Sequence, residues 1–293
     1  MGTLFEIKVY GKNQENVESV CSSAFEEAHQ LEATLSAHDP DSELSRLNKA
    51  PSNTPFQAGA TLLAALETAL HYARLTDGAF DPTLGSCIHL WHRTLTRKKL
   101  PSPDILHRAQ ASCGFSLLTI SPPTLIKQRE GMKLDLGGIG KGMAVDAIAK
   151  KLRAEGLTRF CISSTSDVLA GDPPPGKTCW RVSLGDNTES TVPLVNEAVS
   201  TSGDKSQFTV IAGRRYSHVL NPATGLGLEN SRTVTVQAKT ATEADALSTA
   251  FCVLPRSSHT RILLRFPDAS ILRDAEHTPC PLSHEPIKPY RSH

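Results

Sequence analysis

The sequence predicts an α+β fold in which helices and antiparallel strands come in clusters. Helical and strand-like segments follow one another without the strict alternation of a doubly wound sheet. The 293 residues are 39% hydrophobic and 21% charged, so the chain can bury a sizeable core. We expect a single domain over residues 1–274 and a C-terminal tail over residues 275–293, which carries four prolines.

The first half of the chain is expected to be mostly helical. Residues 3–10 alternate apolar and charged side chains, which predicts a half-buried strand. Residues 14–35 and 59–75 carry apolar residues at helical spacing and predict two amphipathic helices. Residues 38–53 are rich in Asp, Pro and Ser and predict a loop between them. Residues 82–113 have a helical pattern that prolines interrupt.

From residue 116 onward, the chain is expected to combine short strands with three helices. The helical patterns lie at residues 141–154, 241–254 and 257–265. The expected strands are 116–120, 124–128, 133–136, 158–163, 180–184, 198–201, 207–212, 215–219 and 232–238.

Charge and hydropathy exclude several classes of protein. Lys and Arg number 31 against 30 Asp and Glu, so the chain lacks the basic excess of a general nucleic-acid binder. No apolar stretch approaches the ~18 residues of a transmembrane helix. The N-terminus shows no signal peptide. The expected compartment is therefore the cytoplasm, or the periplasm or inner-membrane surface if a leader was removed.

The cysteines give no sign of a disulfide framework. There are seven of them, they are widely spread, and no C-x-x-C pair occurs. This pattern favours ordinary reduced thiols over disulfides or a cysteine-based zinc site.

The first segment suited to chemistry is glycine-rich and covers residues 133–146. A short strand is expected to enter a turn and then a helix, whose free N–H groups and Lys141 could hold a phosphate. The segment does not match the Walker A or Rossmann patterns, since Gly142 follows the lysine and Met143 replaces a glycine. A tight strand–helix connection without a ligand is the alternative.

The second segment is a turn at residues 76–83 with two carboxylates, Asp77 and Asp81, four positions apart. Pro82 is expected to open the next helix, so capping of that helix by Asp81 is the alternative to a binding role.

The third segment is the strand end and turn at residues 216–225. It contains His218, whose imidazole suits proton transfer near neutral pH. A structural histidine is the alternative, since the chain has 11 histidines.

The fourth segment is the helix at residues 241–250. Asp245 and Thr249 are four positions apart and therefore share a helix face. A carboxylate and a hydroxyl are hard oxygen donors suited to Mg²⁺. Back-bonding of the threonine to its own helix is the alternative.

Together these segments resemble the ApbE family of FAD:protein FMN transferases. Seven family motifs occur in order, which is far more specific than any one of them. They are M-G-T at 1–3, S-A-H-D-P-D-S-E-L-S-R-L-N at 36–48, T-D-G-A-F-D-P-T at 76–83, L-D-L-G-G-I-G-K-G at 134–142, T-S-G at 201–203, S-H-V-L-N-P-A-T-G at 217–225 and A-D-A-L-S-T at 244–249.

The resemblance implies a fold and a reaction. The fold would be T-fold-like, with mixed antiparallel sheets, packed helices and a flavin site between two sub-lobes. The reaction would be the Mg²⁺-dependent transfer of the FMN half of FAD to a Thr or Ser hydroxyl of a target flavoprotein, with release of AMP. Mn²⁺ could replace Mg²⁺, since hard oxygen ligands accept both.

The resemblance also implies roles for particular residues. The implied metal ligands are Asp245, Thr249 and the Gly138 carbonyl, with Ser248 as a further contributor. His218 would take the proton from the target hydroxyl or orient the substrate. The implied FAD contacts are Met1, His38, Ala79, Phe80, Asp81, Asp135, Lys141 and Leu220.

One departure from the family pattern leaves alternatives open. Residues 163–167 read S-S-T-S-D where members usually carry a G-G-D-like turn, so this loop is expected to follow a different path. This change keeps open a non-catalytic flavin-binding protein as one alternative to the transferase. A FAD pyrophosphatase with water as the acceptor is a second alternative, because the sequence shows no readable motif for docking an acceptor protein.

Overall fold

A six-stranded antiparallel sheet lies at the centre of the fold. The computed structural model describes residues 3–184, 191–203 and 208–276. Its strands are β1 Glu6–Val9, β2 Phe56–Gln57, β3 Leu118–Ser121, β4 Thr124–Lys127, β5 Phe160–Ser163, β6 Asp167–Ala170, β7 Trp180–Ser183, β8 Thr191–Leu194, β9 Glu197–Gly203, β10 Phe208–Ile211, β11 Arg214–Ser217, β12 Arg232–Ala238 and β13 Ser270–Glu276. The central sheet has the order β1-β5-β6-β9-β12-β13.

The other strands form three small antiparallel sheets. Their orders are β2-β4-β3, β7-β8 and β10-β11. Every pairing between these strands is antiparallel, as it is throughout the central sheet. The predicted α+β fold with antiparallel sheets is therefore confirmed.

Helices cover the central sheet where its middle strands meet. They are α1 Gln14–Leu35, α2 Glu43–Lys49, α3 Ala60–Leu75, α4 Gly85–Arg97, α5 Pro103–Ala111, α6 Gly140–Ala154, α7 Ala241–Val253 and α8 His259–Leu263. α6 packs between α1 and α7, and both α6 and α7 contact β6. None of the helices in the described residues combines the length and apolar composition needed to cross a bilayer.

Two large apolar clusters hold these layers together. One joins α3 and α7 to β12 and includes Leu66, Phe251 and Val236, all 0% exposed. The other joins α1 and α6 to β5 and includes Ala24 and Phe160, also 0% exposed. The buried surface of α6 and α7 therefore fixes where the N-termini of these two helices lie.

Helix caps account for two element boundaries. Thr240 caps α7 by accepting a hydrogen bond from the Glu243 N–H at 3.1 Å. Ser42 caps α2 in the same way with the Ser45 N–H at 2.9 Å. α2 lies within the predicted loop 38–53, so that part of the prediction is wrong. The missed signal was a capping serine before the buried Leu44 and Leu47.

Several other boundaries differ from prediction. Residues 133–136 are not a strand, because Lys133 makes only an isolated bridge with Leu84. α4 begins at Gly85 and not at Pro82. Four strands, β2, β6, β8 and β13, were not predicted. β13 continues through Glu276, the second residue of the predicted tail, and residues 277–293 lie outside the described residues.

Candidate active site

The centre of the candidate site is the contact between the N-terminal halves of α6 and α7. Asp245 on α7 is 1% exposed. Its carboxylate accepts hydrogen bonds from the Lys141 ammonium at 3.1 and 3.2 Å and from the Gly142 N–H at 3.1 Å. The structure therefore brings together the glycine-rich segment and the A-D-A-L-S-T helix.

Two features hold α6 this close to α7. A Cβ on Gly142 would lie 2.4 Å from the Ala241 carbonyl oxygen, so only glycine fits there. The Asp146 carboxylate accepts from the Ala241 and Thr242 N–H groups at 2.9 Å each. A carboxylate at a helix N-terminus satisfies free N–H groups and suits the helix dipole.

The pKa values of Asp245 and Lys141 are both raised in this contact. Burial raises the pKa of Asp245 to about 6, although the Lys141 ammonium opposes this rise. Burial alone would lower the pKa of Lys141, but the carboxylates of Asp245 and Asp167 outweigh burial and raise it. Lys141 therefore stays an ammonium ion, shared between two acidic residues.

Asp167 is the site residue that sequence analysis missed as a candidate. It begins β6, is 0% exposed, and its Oδ2 lies 3.9 Å from Lys141 Nζ. The hydroxyls of Ser164 and Ser166 donate to the same Oδ2 at 2.8 Å each. Asp167 Oδ1 is buried and has no hydrogen-bond partner in the described residues. These two serines thus hold the Asp167 carboxylate in place.

A network of hydroxyl groups lies one helical turn after Asp245 on α7. Ser202 of β9 shares a hydrogen bond of 2.8 Å with Ser248 and one of 3.2 Å with Thr249. Ser248 also donates to the Asp245 carbonyl oxygen at 3.0 Å. The T-S-G motif therefore supplies a hydroxyl next to two of the predicted metal ligands.

Gly138 completes this part of the site. A Cβ on Gly138 would lie 3.3 Å from Thr249 Cγ2 and 3.3 Å from Phe80 Cε2. The predicted ligands Gly138 and Thr249 are thus neighbours, and Phe80, a predicted FAD contact, packs beside them.

The donors in this site fit a hard divalent cation. A buried carboxylate, a threonine hydroxyl and a backbone carbonyl are the oxygen ligands that Mg²⁺ or Mn²⁺ accepts. The unpartnered oxygen of Asp167 adds negative charge that one lysine does not neutralise. No group of three or more His, Cys, Asp or Glu residues that could hold a metal occurs in the described residues. Any metal here therefore depends on hydroxyl and carbonyl ligands as well.

Two adjoining cavities open beside Lys141. They measure about 550 and 160 Å³ and share the lining residues Ala37, His38 and Asp135. Lys141 lines the smaller cavity. His38 stacks on His92, with ring centroids 5.8 Å apart and an interplanar angle of 16°. Three predicted FAD contacts, His38, Asp135 and Lys141, therefore line one continuous surface.

Hydrogen bonds to backbone groups connect three of the motifs beside these cavities. Asn48 accepts from the Leu134 N–H at 2.7 Å and donates to the Leu134 carbonyl at 2.9 Å. The Asp135 N–H donates to the Pro82 carbonyl at 2.8 Å. The Asp135 carboxylate turns back to accept from the Gly137 N–H at 2.7 Å.

The carboxylates of the T-D-G-A-F-D-P-T turn have separate partners. Asp81 accepts from the Thr83 N–H at 2.7 Å and from the Thr83 hydroxyl at 2.6 Å, so it is not the predicted cap of α4. Burial raises the pKa of Asp81 despite these hydrogen bonds. Asp77 instead pairs at the surface with Arg261 and Arg265. Ala79, within this turn, is buried.

His218 and Leu220 belong to the S-H-V-L-N-P-A-T-G motif that begins at the end of β11. His218 is exposed immediately after β11, and Leu220 packs in a third apolar cluster with Trp91 and Tyr216. In the described part of the chain, neither residue lines the two cavities. Met1, also a predicted FAD contact, lies outside the described residues.

Proteins of similar sequence include two FAD:protein FMN transferases. A FAD:protein FMN transferase from Treponema pallidum is 31% identical over 295 residues, covering 93% of this chain and 82% of that protein. A FAD:protein FMN transferase from Salmonella typhimurium is 28% identical and covers 90% of this chain and 79% of that protein.

Solved structures show the same fold. The ApbE protein of Thermotoga maritima aligns with a TM-score of 0.80 and 27% identity, covering 94% of this chain and 96% of that chain. The flavin transferase ApbE of Vibrio cholerae aligns with a TM-score of 0.78 and 25% identity, covering 94% of each chain. A model of the ApbE family matches residues 1–271. The resemblance seen in the motifs is confirmed, and this chain belongs to the ApbE family.

Proposed function

We propose that this chain is a FAD:protein FMN transferase that uses Mg²⁺. It would transfer the FMN half of FAD to a threonine or serine hydroxyl of an acceptor flavoprotein. The acceptor oxygen forms a bond to the FMN phosphorus, and the bond from that phosphorus to the bridging oxygen breaks. AMP leaves with the bridging oxygen, and the hydroxyl proton passes to a base.

One observation carries the proposal: the acidic, hydroxyl-rich cluster at Asp245 adjoins the cavities lined by His38 and Asp135. Lys141 belongs to both, because it binds Asp245 and lines the smaller cavity. A pyrophosphate placed beside Lys141 would meet a fixed positive charge in a partly buried setting, where electrostatic stabilisation is strong.

The metal would be held by Asp245, Thr249 and the Gly138 carbonyl. When bound there, Mg²⁺ would neutralise charge on the phosphate oxygens. Ser202 and Ser248 would orient the ligands, since both belong to the hydroxyl network around Thr249. Asp167 would hold the Lys141 ammonium from its other side, 3.9 Å away.

The predicted FAD contacts and His218 also have roles in this proposal. His38, stacked on His92, offers a flat aromatic face to a flavin or adenine ring. Phe80 packs against Gly138 and so limits the space next to the metal ligands. His218 is exposed, so an acceptor hydroxyl could reach it, and we assign it the role of the base.

The test is one incubation that follows two products. The protein is mixed with FAD, Mg²⁺ and a candidate acceptor domain that exposes a threonine motif. AMP release and acceptor mass are then measured together. We expect one acceptor-bound FMN for each AMP, and loss of both products on adding a chelator.

Matched variants separate the possible outcomes. Asp245→Asn should abolish both products, whereas Glu243→Gln, on the same helix, should leave them unchanged. AMP without acceptor gain across a panel of acceptors would show hydrolysis and contradict the transferase. Normal turnover by His218→Ala would remove His218 from the chemistry.

A further inference from the structure

Two cysteines to which the proposed reaction gives no role lie side by side. Cys87 belongs to α4, and Cys113 follows α5. Their sulfur atoms are 3.6 Å apart, and both are free thiols. Sulfur atoms this close need only a small side-chain movement to reach the ~2.05 Å of a disulfide.

The two thiols differ in their surroundings. Cys87 is 0% exposed and packs in the third apolar cluster beside Trp91 and Leu220. Cys113 is only partly buried, and its Sγ lies 3.2 Å from the Ala109 carbonyl oxygen. A reagent in solution can therefore reach Cys113 first, and Cys87 only through Cys113.

The more accessible thiol, Cys113, also has the lower pKa. The hydrogen bond from Cys87 lowers the pKa of Cys113, although burial opposes this effect. The same hydrogen bond, together with burial, raises the pKa of Cys87. Cys113 is thus the more accessible thiol and also the one that ionises more readily, as expected of an attacking nucleophile.

We infer that Cys87 and Cys113 form a dithiol that is oxidised to a disulfide by exchange with a small-molecule or protein disulfide. The Cys113 thiolate attacks one sulfur of the oxidant, forming a mixed disulfide and releasing one thiolate. The Cys87 sulfur, on losing its proton, then attacks Cys113 Sγ and releases the second thiol. The protein loses two electrons and two protons, and the oxidant gains them.

The position of the pair gives the bond a structural consequence. Immediately after Cys113, the Gly114 N–H donates to the Thr83 hydroxyl oxygen at 2.7 Å, and the Phe115 N–H donates to Asp81 Oδ2 at 3.3 Å. A disulfide would therefore tie α4 to the segment that supports the Asp81 turn.

The other side of the pair faces the turn after β11. A Cβ on Gly225 would lie 3.2 Å from Cys87 Sγ, and Gly225 itself has a φ of +65°. The pair thus lies between the Asp81 turn and the turn that follows His218. The inference rests on this packing alone and does not depend on the proposed reaction.

The test is oxidation of the full chain with oxidised glutathione, followed by alkylation of remaining thiols and peptide mapping. We expect the tryptic peptides holding Cys87 and Cys113 to be joined, and the protein to lose two hydrogens. Closing this loop should also raise Tm by about 5 °C in the absence of reductant. Peptides in which both cysteines are alkylated after oxidation would overturn the inference.

Variants test the order of attack. Cys87→Ala should trap one glutathione on Cys113, because no second thiol can release it. Cys113→Ala should leave Cys87 free, and Cys161→Ala, a control at a half-buried thiol in β5, should still form the disulfide. Glutathione retained on Cys113 of the unaltered protein would contradict closure, and this result does not require any variant to fold.

Discussion

Two clusters of charged residues in this molecule are built in opposite ways. In the first, Asp274 of β13 accepts from Arg232 at 2.7 Å on each oxygen and from Arg256 at 2.9 and 3.2 Å. In the second, the Lys141 ammonium serves both Asp245 and Asp167, and one oxygen of Asp167 has no partner in the described residues. The first cluster is satisfied by its own residues, whereas the second is left with excess negative charge.

The pKa values of the two carboxylates show what this difference means. Hydrogen bonds from Arg232 are the largest cause of the lowered pKa of Asp274, so the folded state favours its charged form. Burial is the largest cause of the raised pKa of Asp245, so the folded state disfavours its charge. A cluster whose charges stabilise the fold thus differs from one whose excess negative charge suits the proposed binding of a cation.

The largest expected effect is the loss of activity on neutralising the second cluster. Asp245→Asn should lower the rate of AMP release by at least about a thousandfold, because a metal-bound carboxylate supplies several kcal/mol of charge stabilisation. Tm measured without metal should not fall, because the variant removes a buried charge that is costly in the folded state. A large fall in Tm would show that Asp245 is structural and would erase the contrast with Asp274.

The next effect is a loss of stability in the first cluster. Asp274→Asn leaves Arg232, only 5% exposed, without its charge partner, which should lower the free energy of unfolding by about 3 kcal/mol. Urea denaturation measures this change, and AMP release per folded molecule should stay near that of the unaltered protein. Asp268→Asn, at an exposed position just before β13, serves as the control and should change stability little.

These two clusters also show what could be predicted from sequence. Asp245 and Thr249 were found because their spacing on one helix is a local pattern. Helices α1, α3, α6 and α7 were found for the same reason. Asp167 was missed as a candidate because it begins a four-residue strand, β6, whose short pattern cannot be told from a loop. Its meeting with Lys141 depends on the packing of α6 against β6, which no local pattern encodes.

The pairing of Arg232 with Asp274 was missed for a related reason. β13 lies at the edge of the central sheet, and only its pairing with β12 places Asp274 beside Arg232. The burial pattern of β13 has no fully buried residue, so the strand signal was weak. Motifs predicted the candidate flavin site, whereas ion pairs between strands that are distant in sequence required the fold.

The two clusters should respond differently to pH. The folded pKa of Asp245, about 6, exceeds the ordinary value near 3.9, so its ionisation destabilises the fold as pH rises from about 4 to about 6. Lowering the pH from 7 to about 4.5 should therefore raise the stability of the unaltered protein relative to Asp245→Asn, by less than about 2.7 kcal/mol.

The contribution of Asp274 to stability changes with pH in the opposite direction, and in a lower pH range. Its folded pKa lies below the ordinary value, so its contribution is complete above about pH 4 and is lost only below it. The stability difference between the unaltered protein and Asp274→Asn should thus stay constant from pH 7 to about 4.5. Urea denaturation at several pH values checks both expectations, and parallel changes in the two variants would contradict them.

The smallest expected effect concerns Asp167 and the Mg²⁺ concentration that the reaction requires. Asp167→Asn keeps the shape of the side chain and removes one of the two negative charges that flank Lys141. The Lys141 ammonium then pairs with Asp245 without competition, so a cation must displace a more tightly held lysine. We expect the Mg²⁺ concentration for half-maximal AMP release to rise about tenfold, with little change in the rate at saturating Mg²⁺.

A matched control for Asp167 lies just beyond the other end of β6. Asp172 accepts a hydrogen bond from Asn196 at 3.0 Å in a surface loop, so Asp172→Asn should leave the Mg²⁺ requirement unchanged. Titration of Mg²⁺ binding by calorimetry gives a second readout without turnover. If Asp167→Asn bound Mg²⁺ as tightly as the unaltered protein, the excess charge of this cluster would have no part in attracting a cation. The unpartnered Oδ1 of Asp167 would then only destabilise the folded state, and the contrast with Asp274 would not explain why it is there.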